Sequence, residues 1–233
     1  MKITGVETLY LRQPQVKGLC DSGQDALIVK VTTDAGITGI GEVDSSPMAV
    51  KGAIEGPFSH TVTAGLREIV MGEDPFATEY LWDKMYRRNV YAGRRGVGIH
   101  AMSGIDMALW DIKGKALGLP VWKLLGGGFH QKLRCYASSL FGPTPQATHD
   151  LARRFRDRGF NAVKFGWDPM GRDAKTDIAL VEHGRKGLGD DADLLIDAGL
   201  VWDAKTAIQR VRAFEPYSIF WLEEPLRPDD YDG

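Results

Sequence analysis

Three side chains are spaced so that they could act together. Lys164 follows Ala162 and Val163, Asp197 closes the run Leu194-Leu195-Ile196, and Glu223 closes Phe220-Trp221-Leu222. Each ends a short apolar run that reads as a strand, and the three runs succeed one another along the chain. In parallel β/α structures the functional groups gather at the carboxyl ends of strands. Neighbouring strands lie about 5 Å apart, so groups at matched ends converge within reach of a single ion. Two carboxylates from separate strands offer the hard oxygen ligands that Mg²⁺ takes. A lysine beside them can hold a substrate carboxylate or act as a base.

Each residue also has a plainer reading. An Asp after a strand commonly caps the next helix, but here the helix is expected only from 203. A lysine at a strand end is commonly solvated, and Glu-Glu-Pro after an apolar run is commonly a turn. Matched positions on three consecutive strands favour the shared site.

The elements that must position these groups follow from periodicity. Strands at 133–139, 162–166, 193–199 and 219–225 alternate with helices at 145–158, 173–187 and 203–213. The strands are almost wholly apolar, as in a parallel sheet buried on both faces. Residues 129–233 are therefore expected to form about four units, the first half of a parallel (β/α)-barrel whose complete form takes about 250 residues. Residues 1–128 are expected to form an α+β domain. Strands at 3–11, 26–33 and 37–43, with the turn Asp34-Ala35-Gly36, predict a three-stranded antiparallel sheet. Three- and four-residue apolar spacing predicts helices at 48–56, 60–71 and 76–88. A long, mostly buried helix is expected at 98–118, where Ser103 and Gly104 would let a neighbour approach closely. Gly118 and Pro120 stop it and open a short helix at 120–125.

Composition narrows the function classes. The chain has 233 residues with a formal charge of −2, which argues against the basic patch of a nucleic-acid binder. No apolar run reaches the ~18 residues of a membrane span, and the N-terminus has no apolar signal core. Two cysteines, Cys20 and Cys135, are too few for a disulfide framework and fit a reducing, cytoplasmic setting. The histidines show no HExxH spacing, and neither a Gly-x-Ser-x-Gly elbow nor a P-loop occurs. The glycines of GRRGVG (93–98) have the wrong spacing for a dinucleotide loop. Arg87, Arg88, Arg94 and Arg95 could face an anionic substrate or a neighbouring subunit, but read more readily as a solvated face with salt bridges.

The helix SGIDMALWDIKGKALGLPVWKLLGG (103–127), AVKFG (162–166), LLIDAGLVWD (194–203) and WLEEP (221–225), in this order, resemble the enolase superfamily. The resemblance is to its mandelate racemase / muconate lactonizing enzyme group and covers the whole chain. It implies an α+β capping domain beside a modified (β/α)-barrel. It also implies Mg²⁺-dependent removal of the proton α to a carboxylate, through a metal-stabilised enolate. Matched motif by motif, Asp197 and Glu223 take the places of the first two metal ligands, and Lys164 that of the first lysine of a Lys-x-Lys motif. Gly166 stands where the second lysine would fall, and Gly199 where the group has asparagine. The third metal ligand and a His-Asp catalytic pair would belong to later strands, beyond residue 233, so the chain is expected to stop half-way through its barrel.

Racemisation needs an acid/base group on each face of the enolate, and Gly166 supplies none. Dehydration of a sugar acid is the expected activity; a racemase or epimerase, and a non-catalytic member of the superfamily, are the alternatives. The expected partner is a small-molecule carboxylate, with neither nucleic acid nor membrane, and a homo-oligomer is expected. Substrate choice would rest on loops near 14–25 and 44–58 and on later barrel ends.

Overall fold

Alternating apolar residues build three strands, β1 (Ile3–Arg12), β2 (Asp25–Thr33) and β3 (Thr38–Val43), in the computed structural model, which describes every residue except Leu19, Asp21 and Ala92. Leu19 and Asp21 of the 14–25 loop thus lie outside the described residues. The strands pair antiparallel in the order β1-β2-β3. Leu27, Val29 and Val31 of β2 are fully buried on one face, as a period of two requires. Gly36 closes the β2–β3 turn at φ 75°, a left-handed conformation that glycine adopts without steric cost.

Helices α1 (Pro47–Glu55), α2 (Leu66–Val70), α3 (Thr78–Arg88), α4 (Val97–Leu117) and α5 (Val121–Leu124) follow. Met102, Ile105, Leu109 and Ile112 of α4 are fully buried, while Met107 is exposed. The close approach expected at Gly104 is present: a Cβ there would lie 2.6 Å from Val43 Cγ2 of β3. The expected helix at 60–71 is reduced to α2. His60 and Thr63 instead form an isolated antiparallel bridge, and the Gly65 N–H donates to Gly56 O at 3.1 Å. The β-branched run Thr61-Val62-Thr63 and Gly65 disfavour a helical start there.

Contacts divide the chain into Met1–Gln131 and Lys132–Gly233. In the second unit β4 (Ala137–Leu140), α6 (Pro145–Asp157), β5 (Ala162–Gly166), α7 (Ala174–Leu188), β6 (Asp193–Asp197), α8 (Ala204–Phe214) and β7 (Ile219–Glu223) alternate. Among the described residues the strands form a parallel sheet in the order β4-β5-β6-β7, the succession of a partial β/α barrel.

The strand expected at 133–139 starts later, at Ala137. Ala137 pairs with Val163, and β5 begins at Ala162, so residues before it find no rung. The strands expected at 193–199 and 219–225 end at Asp197 and Glu223, because Gly199, Leu200 and Glu224 all take positive φ. Thr144, Asp173 and Asp203 cap α6, α7 and α8 through side-chain oxygens that accept from backbone N–H groups. Asp197 is therefore not a helix cap. Among the described residues no helix is long and apolar enough to cross a membrane.

Candidate active site

Strand register brings the chemistry together. Gly166 of β5 lies opposite Asp197 of β6, and Asp197 lies opposite Glu223 of β7. Lys164 does not end its strand; β5 continues to Gly166, and the period of two keeps positions 164 and 166 on one face. The lysine's length carries its ammonium back to the strand ends. Lys164 Nζ donates to Glu223 Oε1 at 2.8 Å and to Asp197 Oδ2 at 3.4 Å. The lysine side chain is 14% exposed, that of Asp197 7% and that of Glu223 35%. Burial pushes the Lys164 pKa down, but the hydrogen bonds and charges of Glu223 and Asp197 outweigh it, and the net shift is upward. The lysine is a fixed cation at neutral pH.

Each carboxylate also accepts an indole N–H. Trp167 Nε1 donates to Asp197 Oδ2 at 3.2 Å, and Trp221 Nε1 donates to Glu223 Oε2 at 3.2 Å. Asp197 Oδ1 accepts from the Gly199 N–H at 3.0 Å. Trp221 was legible in principle, because it precedes Glu223 by two residues and strand alternation places both on one face. No periodicity signals Trp167. Its place follows from a backbone φ of 66° just after β5.

Behind the site, Arg210 Nε of α8 donates to Asp177 Oδ2 of α7 at 2.7 Å, and the Gly171 N–H donates to Asp177 Oδ1 at 2.7 Å. Asp177 is fully buried and ties the loop that carries Trp167 to two helices. Arg185 gives its donors to the carbonyls of Gly189, Ala192, Tyr217 and Ser218, which fixes the entry into β7. Arg87, Arg88, Arg94 and Arg95 are exposed, and Arg87 pairs with Asp83.

The donor set suits a hard divalent cation. Asp197 and Glu223 aim oxygens at one point, where a buried ammonium already draws on both. Among the described residues no group of three or more His, Cys, Asp or Glu side chains is clustered for metal binding; Asp197 and Glu223 are a pair.

A three-stranded α+β unit and a four-stranded parallel β/α unit with acidic strand ends define a two-part fold with a partial β/α barrel. The chain belongs to the mandelate racemase / muconate lactonizing enzyme group of the enolase superfamily. The model for "Mandelate racemase / muconate lactonizing enzyme, N-terminal domain" matches residues 10–126, and that for "Enolase C-terminal domain-like" matches residues 147–233.

Among curated relatives, 3,6-anhydro-alpha-L-galactonate cycloisomerase of Streptomyces coelicolor is 35% identical over 99% of this chain and 64% of its own length. Arabinonate dehydratase of Saccharolobus solfataricus is 32% identical over 93% of this chain and 57% of its own length. The chain thus spans less than two thirds of either relative. Among solved structures, a racemase from Streptomyces coelicolor A3(2) with bound magnesium superposes with a TM-score of 0.84 at 33% identity, covering 98% of this chain and 64% of that one.

Proposed function

We propose that the protein removes the proton α to the carboxylate of a sugar acid and eliminates water, as a Mg²⁺-dependent dehydratase. The observation that carries this reading is the meeting of Lys164, Asp197 and Glu223 at one point of the parallel sheet. Similarity to arabinonate dehydratase, and to D-galactonate dehydratase of Pectobacterium atrosepticum at 34% identity, supports the substrate class. Asp197 and Glu223 would hold the ion. Bound there, Mg²⁺ supplies Lewis-acid stabilisation of negative charge on a substrate carboxylate.

Lys164 contributes a second positive charge to the same place. Its ammonium is held by two carboxylates, so it acts as a charge stabiliser and not as a base. Gly166 can neither take nor give a proton. Stereoinversion through acid/base groups on opposite faces therefore has no participant at 166. Elimination needs one base for the α-proton and an acid for the β-hydroxyl, so it tolerates that loss. The dehydrated enol then tautomerises to a 2-keto-3-deoxy acid.

Similarity to the Streptomyces coelicolor cycloisomerase favours a second reading, isomerisation of a related acid. The full-length protein with Mg²⁺, offered a panel of aldonic and aldaric acids, separates the two. 2-Keto-3-deoxy products are expected. Rapid inversion or ring isomerisation, with no keto acid formed from any member of the panel, overturns the dehydratase reading.

A further inference from the structure

We infer that Trp167 is a positioning residue for Asp197, admitted to its place by the glycines at 166 and 199. The inference rests on the reading of Asp197 as a metal ligand. Trp167 has φ 66°, a left-handed conformation that is sterically unfavourable for an L-residue. Such a backbone persists only where its surroundings hold it. Here Asp197 holds it twice. The Trp167 N–H donates to Asp197 O at 3.1 Å, and the indole Nε1 donates to Asp197 Oδ2 at 3.2 Å. The Met170 N–H donates to Trp167 O at 2.9 Å and closes the turn behind it.

The indole needs room that only small residues leave. A Cβ at Gly199 would lie 3.1 Å from Trp167 Cδ2 and 3.3 Å from Cε3. A Cβ at Gly166 would lie 2.7 Å from Asp197 Cβ and force the carboxylate away from the indole. Both positions are those where the family resemblance expects a polar side chain. The indole N–H thus restricts rotation of the carboxylate, leaving its charge beside Lys164 and Glu223. The Asp177 carboxylate anchors the far end of the same loop through Gly171.

The test compares the full-length wild type with Trp167→Phe and Gly199→Ala. Mg²⁺ affinity is read by calorimetry, and thermal unfolding midpoints are read with and without Mg²⁺. Trp167→Phe keeps a ring and removes the donor. Its Mg²⁺ affinity is expected to fall about 10-fold, the scale for a group that orients a ligand. The Mg²⁺-induced rise in its midpoint is expected to shrink, whatever the loss of the indole bond does to the metal-free midpoint. Gly199→Ala presses a methyl on the indole and should shrink that rise with Trp167 still present. It decides the matter if Trp167→Phe does not fold. A lower metal-free midpoint with an unchanged Mg²⁺-induced rise marks a purely structural tryptophan and overturns the inference. Equal Mg²⁺ affinity in Trp167→Phe and wild type also overturns it. Absence of any Mg²⁺ response in the wild type overturns the metal reading instead, and this inference with it.

Discussion

Gly166 and Asp197 face each other across the β5–β6 ladder so closely that a Cβ on the glycine would lie 2.7 Å from Cβ of the aspartate. The absence of a lysine at 166 is thus built into the packing as well as the sequence. Gly166→Ala should lower stability by about 1–3 kcal/mol, the usual cost of overpacking, in chemical denaturation. Gly166→Lys should not create stereoinversion, because the added side chain displaces the carboxylate it would have to work beside. Efficient inversion by that variant would show that the strand ends yield more readily than their contacts imply.

Asp197→Asn keeps the side chain's shape and its oxygen acceptor but removes the charge. Mg²⁺ affinity measured by calorimetry should fall by more than the 10–100-fold typical of groups that merely orient a ligand. An unchanged affinity removes Asp197 from the metal site.

On the dehydratase reading, Lys164→Met in the full-length protein should lower turnover by about 10² or more, the scale for loss of an electrostatic contact in the transition state. The raised pKa of Lys164 adds a prediction for the metal-free protein. A folded-state pKa above the unfolded value contributes stability that is complete below the unfolded pKa of about 10.4 and lost as pH rises through the folded one. Wild type should therefore lose more stability than Lys164→Met between neutral and strongly alkaline pH. Parallel pH–stability curves would show that the ammonium gains nothing from its two carboxylates.

Asp177 and Arg210 test the support of the site at a distance from it. Asp177 is fully buried and the Arg210 side chain is 15% exposed, so removing one partner leaves a charge largely cut off from water. Asp177→Ala should cost about 3 kcal/mol, at the low end for a broken buried pair because Arg210 retains some access to solvent. It also frees the Gly171 N–H and so loosens the loop that carries Trp167. Denaturation should report the first effect, and weakened Mg²⁺ binding the second.

The sequence by itself determined the local elements and the strand ends whose polar side chains meet. Alternation marked β1 to β3, apolar runs marked β5 to β7, and Lys164, Asp197 and Glu223 were legible because a parallel ladder brings successive strand ends together. Periodicity could not say how long each element runs. The helix expected at 60–71 gave way to the short α2, and the strand expected at 133–139 waited for the first rung of β5, since both limits depend on partners elsewhere in the chain.

Only the tertiary structure decided what surrounds the carboxylates. Trp167 reaches Asp197 across 30 positions, and Arg210 reaches Asp177 across 33, with no pattern in the intervening residues to announce either pair. Local propensity acts over a few neighbours, whereas a hydrogen bond between distant residues depends on backbone turns such as the left-handed one at Trp167 and on the space that Gly199 leaves open.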